Sequence, residues 1–223
     1  MRAMEAGLRE GIAGLGLSLT DSQIGQLLDY LDLISKWAKV YNLTAVLDPQ
    51  EMLTHHFLDS LAVVRPLQTQ LDHMRASAAV AAETPVRLLD VGSGAGLPGA
   101  VIAICCPQIS VHCVDTVAKK AAFIQQVAVS LKLPGLRGIH ARVENLKETY
   151  QVVSSRAFAS LVDFVTWSGR SLAGQGVWMA MKGRHPSDEI AALPASVEVF
   201  HVEPLAVPGL QAQRCIVWLR RRG

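Results

Sequence analysis

Apolar positions follow two regimes along the chain, with a change near residue 86. After Thr20-Asp21, the residues Ile24, Leu27, Leu28, Leu31, Ile34 and Trp37 recur at helical spacing, which predicts an amphipathic helix. Asn42-Leu43-Thr44 breaks that pattern. A second helix is expected to start near Asp48, with Pro49 at its first position and Met52, Leu53, His56, Phe57, Ser60 and Leu61 along it. The small, nearly featureless run RASAAVAAETP, from Arg75 to Pro85, reads as a linker. Residues 1–74 are therefore expected to form a helical extension, 75–85 a linker and 86–223 the core.

Beyond Val86, short apolar runs alternate with helix-like segments. Strands are expected at Val86–Val91, Ile109–Val114, Arg137–His140, Val152–Ser155 and Val177–Met181. Two more, Val197–Val202 and Cys215–Leu219, follow without a long helix between them. Such alternation implies an α/β fold, a mostly parallel seven-stranded sheet with helices on both faces. The final pair predicts an antiparallel hairpin, and so an antiparallel edge strand, at one side.

Composition narrows the class. With 223 residues, 50% of them apolar, and a net charge of +2, the chain can bury a core and does not have the make-up of a disordered segment. The longest stretch without Asp, Glu, Lys or Arg runs from Val91 to Val114. Gly92, Gly94, Gly96, Pro98, Gly99 and Pro107 interrupt it, so it cannot supply the ~20 continuous apolar residues of a membrane span. Glu5 and Glu10 stand where a signal peptide would need apolar residues. Cys105, Cys106, Cys113 and Cys215 lack zinc-binding spacing and have apolar neighbours, as expected of reduced, buried thiols in a cytoplasmic protein. Residues 1–84 carry 6 Lys/Arg against 10 Asp/Glu, whereas 85–223 carry 15 against 9 and end in Arg220, Arg221 and Arg222. That basic portion permits a nucleic-acid partner.

The strongest local signal is Leu89-Asp90-Val91-Gly92-Ser93-Gly94-Ala95-Gly96-Leu97-Pro98-Gly99, an apolar strand running into glycines before a helix. Glycines allow a sharp turn and let the backbone approach a ligand at the carboxyl end of the first strand. Two registers are open. Gly94 to Gly99 matches the dinucleotide pattern GxGxxG, with Asp115 following Gly94 by 21 residues. Gly92-Ser93-Gly94-Ala95-Gly96 is instead a GxGxG loop suited to S-adenosylmethionine, which has no pyrophosphate to place. In either register an acid after the second strand can accept hydrogen bonds from ribose hydroxyls. Spacing alone leaves both open, and a nicotinamide-dependent oxidoreductase remains an alternative.

With these residues placed, the sequence resembles the ribosomal RNA small-subunit methyltransferase G family, also called glucose-inhibited division protein B. The resemblance rests on Asn42-Leu43-Thr44-Ala45-Val46, His55-His56-Phe57-Leu58-Asp59-Ser60, the glycine loop, Ser155-Arg156-Ala157-Phe158-Ala159 and Lys182-Gly183, in that order. It implies a class I, Rossmann-like methyltransferase fold, S-adenosylmethionine as donor, and guanine N7 in small-subunit (16S) ribosomal RNA, free or in the 30S particle, as acceptor. Carried over residue by residue, the family's cofactor contacts fall on Gly92, Leu97, Val143, Glu144 and Arg156, and Asp115 matches the acidic position. Gly94 and Gly96 complete the loop expected to hold the donor.

Guanine N7 attacks through an in-plane lone pair without losing a proton, so no general base is needed and none is assigned. The residues agree. Ser154-Ser155-Arg156-Ala157-Phe158 stands where exocyclic-amine methyltransferases carry an Asn/Asp-Pro-Pro-aromatic clamp, and no cysteine has the setting of a nucleophile. Arg156, at the end of a central strand, is expected to orient donor or substrate. Arg142 and Lys182 are candidates to neutralise RNA phosphate. Tyr41, Phe158 and Trp37 are candidates to stack on guanine, with Trp37 also fitting its helix's apolar face. His55-His56 is not expected to bind metal, because adjacent helical residues face apart. His56 and Asp59, three apart, are expected to meet and fix the N-terminal helix over the cleft. A methyltransferase-like RNA-binding or ribosome-assembly scaffold is the non-enzymatic alternative.

Overall fold

The computed structural model describes residues 2–41, 48–77 and 84–223. Helix α1 spans Arg2–Gly14 and α2 spans Asp21–Tyr41. Helix α2 begins at a capping box: the Gln23 amide donates to Thr20 Oγ1 at 3.2 Å, and the Thr20 amide donates to Gln23 Oε1 at 3.0 Å. Its expected apolar face is buried at Ile24, Leu27, Leu31 and Ile34, joined by Tyr30. Asp48 caps α3 (Pro49–Met52) by accepting from the amides of Gln50 and Glu51 at 2.9 and 3.0 Å. The helix then widens into a π-helical stretch, Leu53–Leu58, before α4 (Asp59–Leu61) and α5 (Val64–Ala76). The apolar spacing had not delimited helices α1 and α5, and α5 runs on to Ala76, two residues past the expected end of the extension. Asn42–Val46 and most of the 75–85 segment lie outside the described residues.

All seven expected strands form: β1 (Val86–Val91), β2 (Ile109–Asp115), β3 (Leu136–His140), β4 (Tyr150–Arg156), β5 (Leu172–Lys182), β6 (Val197–Pro204) and β7 (Cys215–Arg221). Their order is β3-β2-β1-β4-β5-β7-β6, the first five parallel and β7 antiparallel to both neighbours. The expected antiparallel pair is thus β6 and β7, with the reversed strand β7 one place in from the edge and β6 at the margin. Strand β5 starts earlier than its apolar run because Gly174 and Gly176 interrupt the pattern without ending the strand. A side chain at Gly176 would come within 3.0 Å of the Gln151 carbonyl on β4.

Helices α6 (Gly99–Cys105), α7 (Ala118–Ser130), α8 (Leu161–Ser168) and α9 (Ser187–Ala191) complete the chain. One sheet face carries Leu88, Val111, Val152, Met179 and Trp218 and shares a continuous core with Leu27, Phe57, Leu67 and Phe123. The other face carries Leu89, Val114, Val153, Trp178 and Val217 against Leu161 and Phe164 of α8. Burial on both faces explains why the central strands read as largely apolar runs rather than strict alternations. Gln23 and Gln26 dock α2 by donating to Ile104 O at 2.9 Å and Leu131 O at 2.8 Å, at the ends of α6 and α7. Among the described residues, no helix is long and apolar enough to cross a membrane.

Register aligns Val91 of β1 with Val114 of β2 and Ser155 of β4, so the loops after these strands lie side by side. The chain order reverses between β1 and β4, where an open α/β sheet leaves a crevice at its carboxyl edge.

Candidate active site

Two adjoining cavities open at that edge. The smaller, about 320 Å³, is walled by Asp115, Val117, Val143, Glu144, Phe158 and Trp167. The larger, about 540 Å³, is walled by His55, His56, Asp59, Leu97, Arg156, Lys182 and Arg214. Gly92 and Ala157 line both.

The floor comes from the turn after β1. Gly92 has φ +65°, and a Cβ there would lie 2.2 Å from the Phe158 ring, so both conformation and space demand glycine. The Gly94 amide donates to Asp115 Oδ2 at 3.1 Å, and the Val117 amide donates to Oδ1 at 2.9 Å. Asp115, at the end of β2 and 7% exposed, thereby ties the glycine turn to the start of α7. Gly96 belongs to a different contact. It lines neither cavity, and its absent side chain makes room for Tyr30, whose hydroxyl donates to Ala95 O at 2.5 Å.

Beneath the turn, Asp90 is fully buried. It accepts hydrogen bonds from the Gly99 amide at 3.0 Å and the Ser154 hydroxyl at 2.9 Å. Burial pushes its carboxyl up to about 6, against those two hydrogen bonds and the positive charge of Arg156. After β4 the chain enters the left-handed region at Ala157, φ +49°, which turns Arg156 and Phe158 into separate cavities.

A buried ion-pair cluster closes the larger cavity. Arg156 Nη1 donates to Asp59 Oδ2 at 3.1 Å and to His55 O at 3.3 Å, while Arg214 Nε donates to Asp59 Oδ1 at 2.9 Å. The Asp59 side chain is 4% exposed. His56 beside it has its basicity lowered by burial and by Arg156.

A family model described as rRNA small subunit methyltransferase G matches residues 23–217. The chain belongs to that family. It is 64% identical to Ribosomal RNA small subunit methyltransferase G of a Polaromonas species, over 99% of this chain and 95% of that one. Against the protein of the same name from Paracidovorax citrulli the identity is 65%, over 99% and 91%. Among solved structures, a SAM-dependent methyltransferase from Aquifex aeolicus superposes with a TM-score of 0.52 at 12% identity, covering 77% of this chain and 97% of that one. TrmN from Thermus thermophilus gives 0.51 at 19%, covering 68% and 48%. The fold is the class I methyltransferase fold, and the family's activity is S-adenosylmethionine-dependent methylation of small-subunit ribosomal RNA.

Measured against the residues that the resemblance to this methyltransferase family implied, the site divides. Gly92, Asp115, Val143 and Glu144 come together around the smaller cavity, and Gly94, Leu97 and Arg156 around the larger. Arg142 is exposed on the smaller cavity beside Glu144. Lys182 is on the larger one, with Nζ donating to Ala159 O at 3.0 Å and to Glu189 at 2.7 Å, so its charge already has a carboxylate partner. Of the stacking candidates, Trp37 packs on Phe123 at 5.1 Å, and Phe158 covers Gly92 with its edge toward Trp167 at 5.8 Å. The Tyr41 side chain lies outside the described residues.

Asp59 does hold the N-terminal helix against the cleft, but through Arg156 and Arg214. Sequence reasoning missed Arg214, which lies 155 residues from Asp59 and carries no signal beyond its place before the last strand. It also missed Trp167, 39% exposed at the cavity wall. All four thiols are buried, and burial raises each, which keeps them protonated and poorly nucleophilic. Among the described residues, no group of three His, Cys, Asp or Glu could hold a metal ion.

Proposed function

We propose that the protein methylates guanine N7 in small-subunit ribosomal RNA, with the donor's adenosine in the smaller cavity and the target guanine in the larger. The observation that carries this is the common floor: Gly92 and Ala157 line both cavities, so one extended ligand can cross from one to the other. The residues suit the donor. Asp115 and Glu144 offer carboxylate acceptors to ribose, Val143, Val117 and Phe158 supply an apolar wall for adenine, and Arg156 a cation for the donor's carboxylate end. Gly94 and Leu97 complete the turn, Gly96 supports it from behind, and Arg142 and Lys182 stand at the rim for phosphate. When bound, the donor supplies an electrophilic methyl on a sulfonium.

With the donor held by Gly92, Asp115, Glu144 and Arg156, guanine N7 would take the methyl through its lone pair and the bonding electron pair would remain on sulfur. No proton moves, so the chain's contribution is alignment and electrostatics. The larger cavity agrees with that demand. Its carboxylate, Asp59, is engaged by two arginines, and the thiols are buried. The helices of 1–74, joined through 75–85 to the 86–223 core, form one wall of the guanine cavity. The RNA is reached in the cytoplasm, as free transcript or 30S particle.

The test uses ribosomal RNA from cells lacking the modification, deproteinised and as particles, with labelled donor and reductive strand scission to map N7-methylguanine. Label at a single guanine, lost in Arg156→Gln, is the expected result. Donor binding without label in either substrate would leave a scaffold and overturn the proposal.

A further inference from the structure

The larger cavity holds an arrangement that no sequence motif describes. Asp59 is buried between two guanidinium groups from different parts of the chain: Arg156 at the end of β4 and Arg214 just before β7. Two arginines against one carboxylate leave the cluster with a net positive charge. Like charges held this close repel unless an anion sits between them, and Asp59 is that anion.

The hydrogen bonds show which donors remain. Arg156 uses Nη1 for both Asp59 and His55 O. Arg214 uses Nε for Asp59 and Nη1 for Gln213 O. Among the described residues, Nε and Nη2 of Arg156 and Nη2 of Arg214 keep their donors unused. Both side chains line the cavity, and the Arg214 side chain is 22% exposed. Lys182, the other cation on that cavity, is already paired with Glu189. Lys182 keeps one of its three N–H donors and stands at the rim for phosphate, so Arg214 is the further cation of the cavity whose unused donor no assignment has taken up.

We infer that Arg214 contacts a phosphate of the RNA beside the target guanine, and that Asp59 is the positioning residue that holds Arg214 and Arg156 in register. The π-helical stretch Leu53–Leu58 directly precedes Asp59 and sets its place against the cavity, a use of widened helices that recurs at functional sites. The inference deepens the function proposed above and rests on it.

The test measures the RNA KM, kcat and their salt dependence for the full-length protein and for Arg214→Gln, Arg214→Lys, Asp59→Asn and the double variant D59N/R214Q. Affinity for S-adenosylhomocysteine is titrated separately without RNA. Arg214→Gln is expected to raise the RNA KM roughly 10-fold and lower the salt slope by about 0.7 to 1, with kcat nearly unchanged. Arg214→Lys keeps the charge and should restore the slope. Asp59→Asn should raise the RNA KM by a similar factor and also weaken S-adenosylhomocysteine binding through Arg156. The double variant should raise the RNA KM no further than either single change, because both act on one RNA contact. Losses that multiply, an RNA KM indifferent to Arg214→Gln, or a Lys variant as defective as the Gln one would overturn the inference. Should Asp59→Asn fail to fold, the two Arg214 variants still decide it. Donor binding without methyl transfer by the unaltered protein would overturn the proposed function as well.

Discussion

The two cavities share a floor, Gly92 and Ala157, yet their walls are made in different ways. The smaller is built mainly from chain segments that directly follow β1, β2, β3 and β4, with Trp167 of α8 added, and its key carboxylate, Asp115, accepts from backbone amides of the turns beside it. The larger is built from side chains 97 and 155 residues apart, drawn together by Asp59. One is shaped chiefly by the turns at the strand ends. The other exists only when the N-terminal helices have docked. That difference predicts that the smaller cavity tolerates changes in residues 1–74 other than Tyr30, which braces the glycine turn through Ala95 O, whereas the larger one depends on that segment throughout.

The largest expected effect breaks the shared floor. Gly92→Ala places a Cβ 2.2 Å from the Phe158 ring at φ +65°. Strain and overpacking together should cost about 2–4 kcal/mol of stability. S-adenosylhomocysteine affinity should fall roughly 100-fold by titration calorimetry, since that loss is only about 2.7 kcal/mol. Affinity within a few-fold of the unaltered protein would show that the turn does not touch the donor.

A second effect is on pH and lies under the floor. The Asp90 carboxyl is raised from 3.8 to about 6 by burial, so between those values the folded state holds a proton that the unfolded state has released. Stability should therefore fall as pH rises through that window, by up to about 3 kcal/mol. Asp90→Asn removes the titration. Its carbonyl can keep the Gly99 amide, while Ser154 redirects its proton to Leu89 O, 3.4 Å away. Urea unfolding at pH 4.5 and pH 7 should show a flatter dependence in the variant; equal slopes would refute this assignment.

Asp115→Asn sharpens the contrast more gently. An amide has one acceptor oxygen, so one of the Gly94 and Val117 amides loses its partner, at about 1–3 kcal/mol. The smallest effect is stabilising. Ala157→Gly relieves the left-handed conformation at φ +49° and should add about 1 kcal/mol, seen as a higher urea midpoint.

The same division explains what was legible in the sequence. The central strands announce themselves because a sheet buried on both faces needs largely apolar runs, whereas the marginal β3 and β6 are poorer in apolar residues and only partly buried. The glycine turn and Asp115 are marked by spacing along one stretch of chain. Helix α2 and the Asp48 cap are likewise local. Arg214 and its bond to Asp59 are not, since nothing in a charge 155 positions away signals a partner. Gly96 shows the converse. Its motif position is plain, but its reason is the Tyr30 hydroxyl of an N-terminal helix, which only the folded core brings near.

The division of labour between the cavities is tested most directly by a crossed measurement on two variants, Asp115→Asn and Arg214→Gln. For each, S-adenosylhomocysteine affinity and the RNA KM are determined on the same preparation. The account predicts that Asp115→Asn loses donor affinity with the RNA KM unchanged, and that Arg214→Gln does the reverse. Both quantities moving together in both variants would contradict it.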